Sequence, residues 1–202
     1  MSNTIWDRIE HSRSRWNVLE HPFYVRWTAG ELSPDELARY SGQYRHAVEA
    51  IAEISSAAAD QAPDREELRS HADEEAAHVE LWDGFVEAVG GSASDPATTE
   101  TSDCVRAWTS DDGLLPTLAR LYAVESGQPE ISRVKRAGLV DLYGIADGSG
   151  TEYFRLHEGR DAGHAAEVRD LIEQRARPQD SDQLVAAAES AFRANWRLLD
   201  GV

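Results

Sequence analysis

With 202 residues, 41% of them hydrophobic and 28% charged, the chain is long enough for one domain that buries roughly two thirds of its unfolded surface, which excludes a disordered polymer. Its 37 acidic against 20 basic side chains give a formal charge of -17, so phosphate backbones are repelled and nucleic acid is excluded as a partner. No stretch approaches the ~20 apolar residues of a membrane span, and Asp7, Arg8 and Glu10 occupy the place where a secretory signal needs an apolar core, so no membrane partner and a cytoplasmic location are expected.

Apolar residues recur at helical spacing almost throughout, and alternating β-branched runs are missing, which predicts an all-α chain. The first helix is expected over residues 4–19, stopping before His21-Pro22, with a short segment over 23–29 that ends at Gly30. Ser33-Pro34-Asp35-Glu36 is a helix start with cap, N-terminal proline and capping box, predicting a helix to about Ala59. The next opens at Pro63-Asp64-Arg65-Glu66 and closes at Gly90-Gly91; residues 92–103, rich in Ser, Thr, Asp and Ala, read as a loop. Helical spacing resumes near Val105, breaks at Gly113, and runs from Leu115 to about Gly127, where Gly127 and Pro129 impose a stop or a kink. Helices over 131–143, 151–176 and 182–199 complete a compact bundle of about seven or eight helices in a single domain covering 1–202.

Three patterns carry chemistry. His157, Asp161 and His164 are four and three apart on one predicted helix, so their side chains leave from one face and converge on a metal without bending the backbone. Two imidazoles and a carboxylate suit iron, manganese or zinc. His71, Glu74, Glu75 and His78 crowd two turns of another helix, and Glu75 with His78 forms the Glu-x-x-His element of carboxylate-bridged dimetal bundles. Glu125 ends the apolar run Leu121-Tyr122-Ala123-Val124, and a buried anion there needs a cation or a metal as partner. Three such clusters on three helices predict a dimetal centre. The positive charge of two ferrous ions against three carboxylates leaves it nearly neutral and suited to dioxygen. Cys104 reads as a small buried thiol, with no neighbour to activate it.

The sequence resembles the haem-oxygenase-like dimetal oxidases, in the branch of the chlamydia protein associating with death domains, which is related to the thiaminase-type folds. The likeness covers about residues 18–175 and rests on His21-Pro22-Phe23-Tyr24, Gly30-Glu31-Leu32, Gln43-Tyr44 with His46, His78 before Leu81-Trp82, the stretch 121–145, and Tyr153-Phe154 with the His157, Asp161, His164 trio. It implies His78, Glu125, His157, Asp161 and His164 as ligands of two iron ions or an iron and manganese pair, with dioxygen as co-substrate and an external reductant. The family's early carboxylate commonly stands seven residues before the matching histidine, where this chain has His71. The remaining ligand is thus Glu75, Glu74 or His71, with Glu75 preferred because an oxygen donor balances charge. The branch includes proteins that make para-aminobenzoate from one of their own tyrosines with a lysine as nitrogen donor, a role that the resemblance lays on Lys135, with Tyr24 and Tyr153 as candidate tyrosines.

Self-modification competes with turnover of a small external amino acid or amine, by N-oxygenation or C–C cleavage. Arg45 beside His46 is a candidate for holding a substrate carboxylate. Two further readings are a thiaminase-type hydrolase, which needs a nucleophilic Cys104, and a metal-free binding protein. A homodimer is compatible with any of them.

Overall fold

The computed structural model describes residues 4–202. Among the described residues there is no strand, and nine α-helices run in chain order. Helix α1 (Ile5–Arg15) starts on a Thr4–Asp7 capping box. It stops earlier than expected, because Asn17 caps a separate 3-10 turn at Val18–Glu20. His21 then caps α2 (Pro22–Ala29), its Nδ1 accepting the Phe23 amide at 3.1 Å. Gly30 closes α2 at φ 72, a conformation that costs other residues a clash.

Helix α3 (Pro34–Gln61) begins at the predicted Ser33–Glu36 capping box and packs along α4 (Glu66–Ala88). The expected loop over 92–103 is overturned in its second half, since α5 spans Thr99–Trp108. Thr98 caps it by accepting the Thr101 amide, and buried Gln43 of α3 accepts from both the Thr98 amide and the Thr101 hydroxyl. The polar composition that resembled a loop is a helix start tied to a distant glutamine.

Helix α6 (Leu114–Glu125) is buried from Pro116 to its last residue. It lies between α8 (Glu152–Arg175) and α9 (Ser181–Asp200). Helix α7 (Gln128–Asp141) packs against α8 and begins upstream of the expected Ile131. Pro129 sits inside its first turn, where a missing amide hydrogen costs nothing. One continuous cluster of buried apolar side chains draws on all nine helices. No helix is long and apolar enough to cross a membrane among the described residues.

Candidate metal centre

The polar heart of the bundle is built from two matching helical faces. On α4, His71, Glu75 and His78 stand four and three apart; on α8, His157, Asp161 and His164 repeat that spacing with the same order of imidazole, carboxylate, imidazole. The helices bring opposite ends of the two triads together, with ring centroids 4.1 Å apart for His71 and His164 and 4.6 Å for His78 and His157. Glu125, at the buried end of α6, enters from the third side. The equal spacing was present in the sequence and was the signal that His71 and Glu75 belong together rather than as alternatives.

His71, Glu75, Glu125 and His164 offer donor atoms within 4.8 Å of one another, and so do Glu75, His78 and His157. Glu75 is common to both groups. Its Oε1 lies 3.1 Å from His78 Nδ1 and 3.7 Å from His71 Nε2, while Oε2 lies 3.9 Å from His157 Nε2. His71 Nε2 is 2.6 Å from Glu125 Oε1, yet both atoms lack a hydrogen-bond partner of acceptable geometry among the described residues. The same holds for His78 Nδ1, His157 Nε2, Asp161 Oδ1 and His164 Nδ1. Buried polar atoms are seldom left unpaired, so six nitrogen and oxygen donors converging without mutual hydrogen bonds fit cations held between them.

Charge points the same way. Burial, reinforced by Glu125 and Glu75, pushes the Asp161 carboxyl up to about 9, and burial lifts Glu125 to about 7. At His71, burial opposes protonation but contact with Glu125 and Glu75 outweighs it, raising the imidazole to about 10. A cation in this volume replaces that proton and lets all three carboxylates ionise. The tautomer of His157 is fixed from behind: Nδ1–H donates to the Tyr153 carbonyl at 2.6 Å, which turns the Nε2 lone pair towards Glu75.

Glu74 does not join the donors. It is part-exposed, pairs with Arg160, and reaches only to 3.7 Å from His164 Nε2. Arg45 and His46 are also corrected. Arg45 is engaged by Asp83 and Glu49, and His46 Nε2 meets the Asp95 carbonyl, so neither faces the centre. Cys104 is buried and burial pushes its thiol up, which removes the nucleophile that a thiaminase-type hydrolase requires.

Beyond the donors lies a box of aromatic rings. Lys135, only 1% exposed, places Nζ 4.4 Å from the Tyr44 ring centroid, 5.4 Å from Tyr40 and 5.7 Å from Tyr24, with Trp82 and Phe154 completing the enclosure. Burial lowers the amine to about 7 with no neighbouring charge to offset it. The Tyr24 and Tyr40 hydroxyls share a hydrogen bond of 2.9 Å, and burial raises both phenols well above 10. Contact between rings is unbroken from the box to the donors: Tyr44 to Trp82 at 5.1 Å, Trp82 to Tyr153 at 4.9 Å, and Tyr153 stacked on His157 at 3.9 Å. Sequence reasoning missed Tyr40; its spacing of four from Tyr44 on one helix was the available signal.

Comparison with known proteins agrees with this geometry. A family model of iron-containing redox enzymes matches residues 43–196. The 4-aminobenzoate synthase of Chlamydia muridarum is 31% identical over 99% of this chain and 90% of its own length. That of Nitrosomonas europaea is 30% identical over 100% and 92%. A solved CADD-like protein of unknown function from Nostoc punctiforme superposes with a TM-score of 0.75 at 18% identity, covering 96% of each chain, a likeness of fold.

Proposed function

The chain belongs to the haem-oxygenase-like family of iron-containing redox enzymes, and from that premise we propose that this oxidoreductase makes 4-aminobenzoate, the para isomer, at the expense of its own Tyr24 and Lys135. The reading gives Glu75 to both metal positions. His71, Glu125 and His164 serve one of them, His78 and His157 the other, and Asp161, one turn from each histidine of α8, completes the set. When bound, two iron ions, or iron with manganese, supply the activation of dioxygen with electrons from an external reductant.

The observation that carries the reading is the enclosure of the chain's one lysine by aromatic rings, Tyr24 among them. With its amine lowered to about 7, a sizeable share of Lys135 is uncharged near neutrality and has a lone pair to donate. Arginine, always protonated, cannot do this. The surrounding rings exclude water, and the Tyr40 hydroxyl holds the Tyr24 phenol in place. Tyr153, stacked on His157, serves as a positioning residue and as the ring that links the donors to the box.

Reduced, iron-loaded protein exposed to oxygen tests this by intact-mass measurement. Wild type is expected to release up to one equivalent of 4-aminobenzoate and to change mass at Tyr24 and Lys135. Lys135→Arg is expected to keep its metals and release none. An unchanged wild-type mass, with an added small amine oxidised over many turnovers, overturns self-modification in favour of an external substrate.

A further inference from the structure

Between the C-terminal end of α1, the start of α7 and the last turns of α9 lies a recess of about 170 Å³. A protein cavity of about 150 Å³ holds benzene, so this one has room for a single six-membered ring with short substituents. Trp16, Ile131 and Phe192 give it apolar walls, and Arg13, Glu130 and Asn195 add a cation, an anion and an amide. Glu10 occupies Nε and Nη2 of Arg13, while Nη1 takes no partner among the described residues.

The recess and the lysine enclosure both draw on α7. Ile131 of the lining precedes Lys135 by one turn on the same face of that helix. Gln128, next to Gly127 of the lining, donates to the Tyr44 hydroxyl at 3.4 Å, and the Tyr44 ring is the one nearest Lys135 Nζ. Tyr24 and Lys135 are both 1% exposed, so a small molecule formed from them has to pass between surrounding side chains to reach solvent.

We propose that this recess is a binding site for a single-ring aromatic carboxylate bearing an amine, with Arg13 meeting the carboxylate, Glu130 accepting from the amine, and Trp16 and Phe192 flanking the ring. Its identification with 4-aminobenzoate as departing product rests on the function proposed above. The binding chemistry itself rests on the recess. A benzoate-type anion suits the free edge of a guanidinium, and the aromatic walls give a flat ring its contact area.

The test is titration of metal-loaded wild type, Arg13→Gln and Phe192→Trp with 4-aminobenzoate, benzoate and aniline, followed by calorimetry or ligand-observed NMR. Wild type is expected to take up one equivalent of 4-aminobenzoate and to bind aniline more weakly. Arg13→Gln, at a part-exposed position, is expected to weaken the two carboxylates about tenfold while leaving aniline unchanged. Phe192→Trp, which fills the recess, is expected to block all three. No saturable binding by wild type, or binding that ignores Arg13→Gln, overturns the site. Wild type that binds 4-aminobenzoate in this way yet forms none on reduction and aeration upholds the site and overturns the self-modification reading instead.

Discussion

Replacing Lys135 with methionine probes the aromatic enclosure directly, because the two side chains are similar in length and only one carries a charge. Burial lowers the amine from 10.5 to about 7, a difference worth about 5 kcal/mol at ~1.4 kcal/mol per pH unit. Five aromatic centroids lie between 4.4 and 5.7 Å from Nζ, and the rings seal the amine from the water that would otherwise stabilise its charge. The unfolded chain keeps this proton until about 10.5, whereas the folded chain releases it near 7. Between those values the unfolded state binds more protons, so stability rises with pH. Lys135→Met is therefore expected to be more stable than wild type at neutral pH by about 5 kcal/mol, and to lose that advantage by up to ~1.4 kcal/mol per pH unit as the solution becomes alkaline. Paired urea titrations of the metal-stripped proteins at several pH values between neutrality and 10 measure it, since the titration of every other group cancels in the difference. A stability difference that stays constant across that range refutes the desolvated amine, and with it the neutral nitrogen donor.

The stripped wild type carries a further pH signature of opposite sign. Asp161 and Glu125 keep protons up to about 9 and about 7 that the unfolded chain gives up near 4, so its melting temperature is expected to fall as pH rises from about 5 to 8. Ferrous loading under anaerobic conditions is expected to flatten that profile, and identical profiles with and without metal would argue against these carboxylates as ligands. Metal analysis is expected to rank the α4 carboxylates sharply: Glu75→Gln loses metal from both positions and Glu74→Gln retains it. His71→Gln is expected to lose about one of two equivalents, and full occupancy in that variant would remove His71 from the donor set. Gly138→Ala places a methyl group 2.4 Å from Trp27 Nε1 and 2.7 Å from its Cδ1, overpacking expected to cost about 1–3 kcal/mol. A thermal melt followed by circular dichroism checks it.

Local chemistry was legible wherever the signal lay within one helix. The Ser33–Glu36 box, the all-α pattern and the His157, Asp161, His164 trio depend on spacings of three and four residues, and the structure places each as the periodicity requires. The sequence also showed that Glu125 ends an apolar run, so that its carboxylate is buried and in need of a partner. What periodicity cannot express is which faces meet. Polar residues 98–101 start a helix because Gln43, more than fifty positions earlier, satisfies them. His71 and Glu75 looked like rivals for one position until two antiparallel helices set the α4 triad against the α8 triad, which gives each its own place and Glu75 a share in both. Glu74, Arg45 and His46 have the right chemistry in sequence but point to partners outside the centre. The lysine depends most on tertiary structure: composition shows that it is alone, but only the convergence of α2, α3, α4, α7 and α8 surrounds it with rings and removes the water that would have kept it charged.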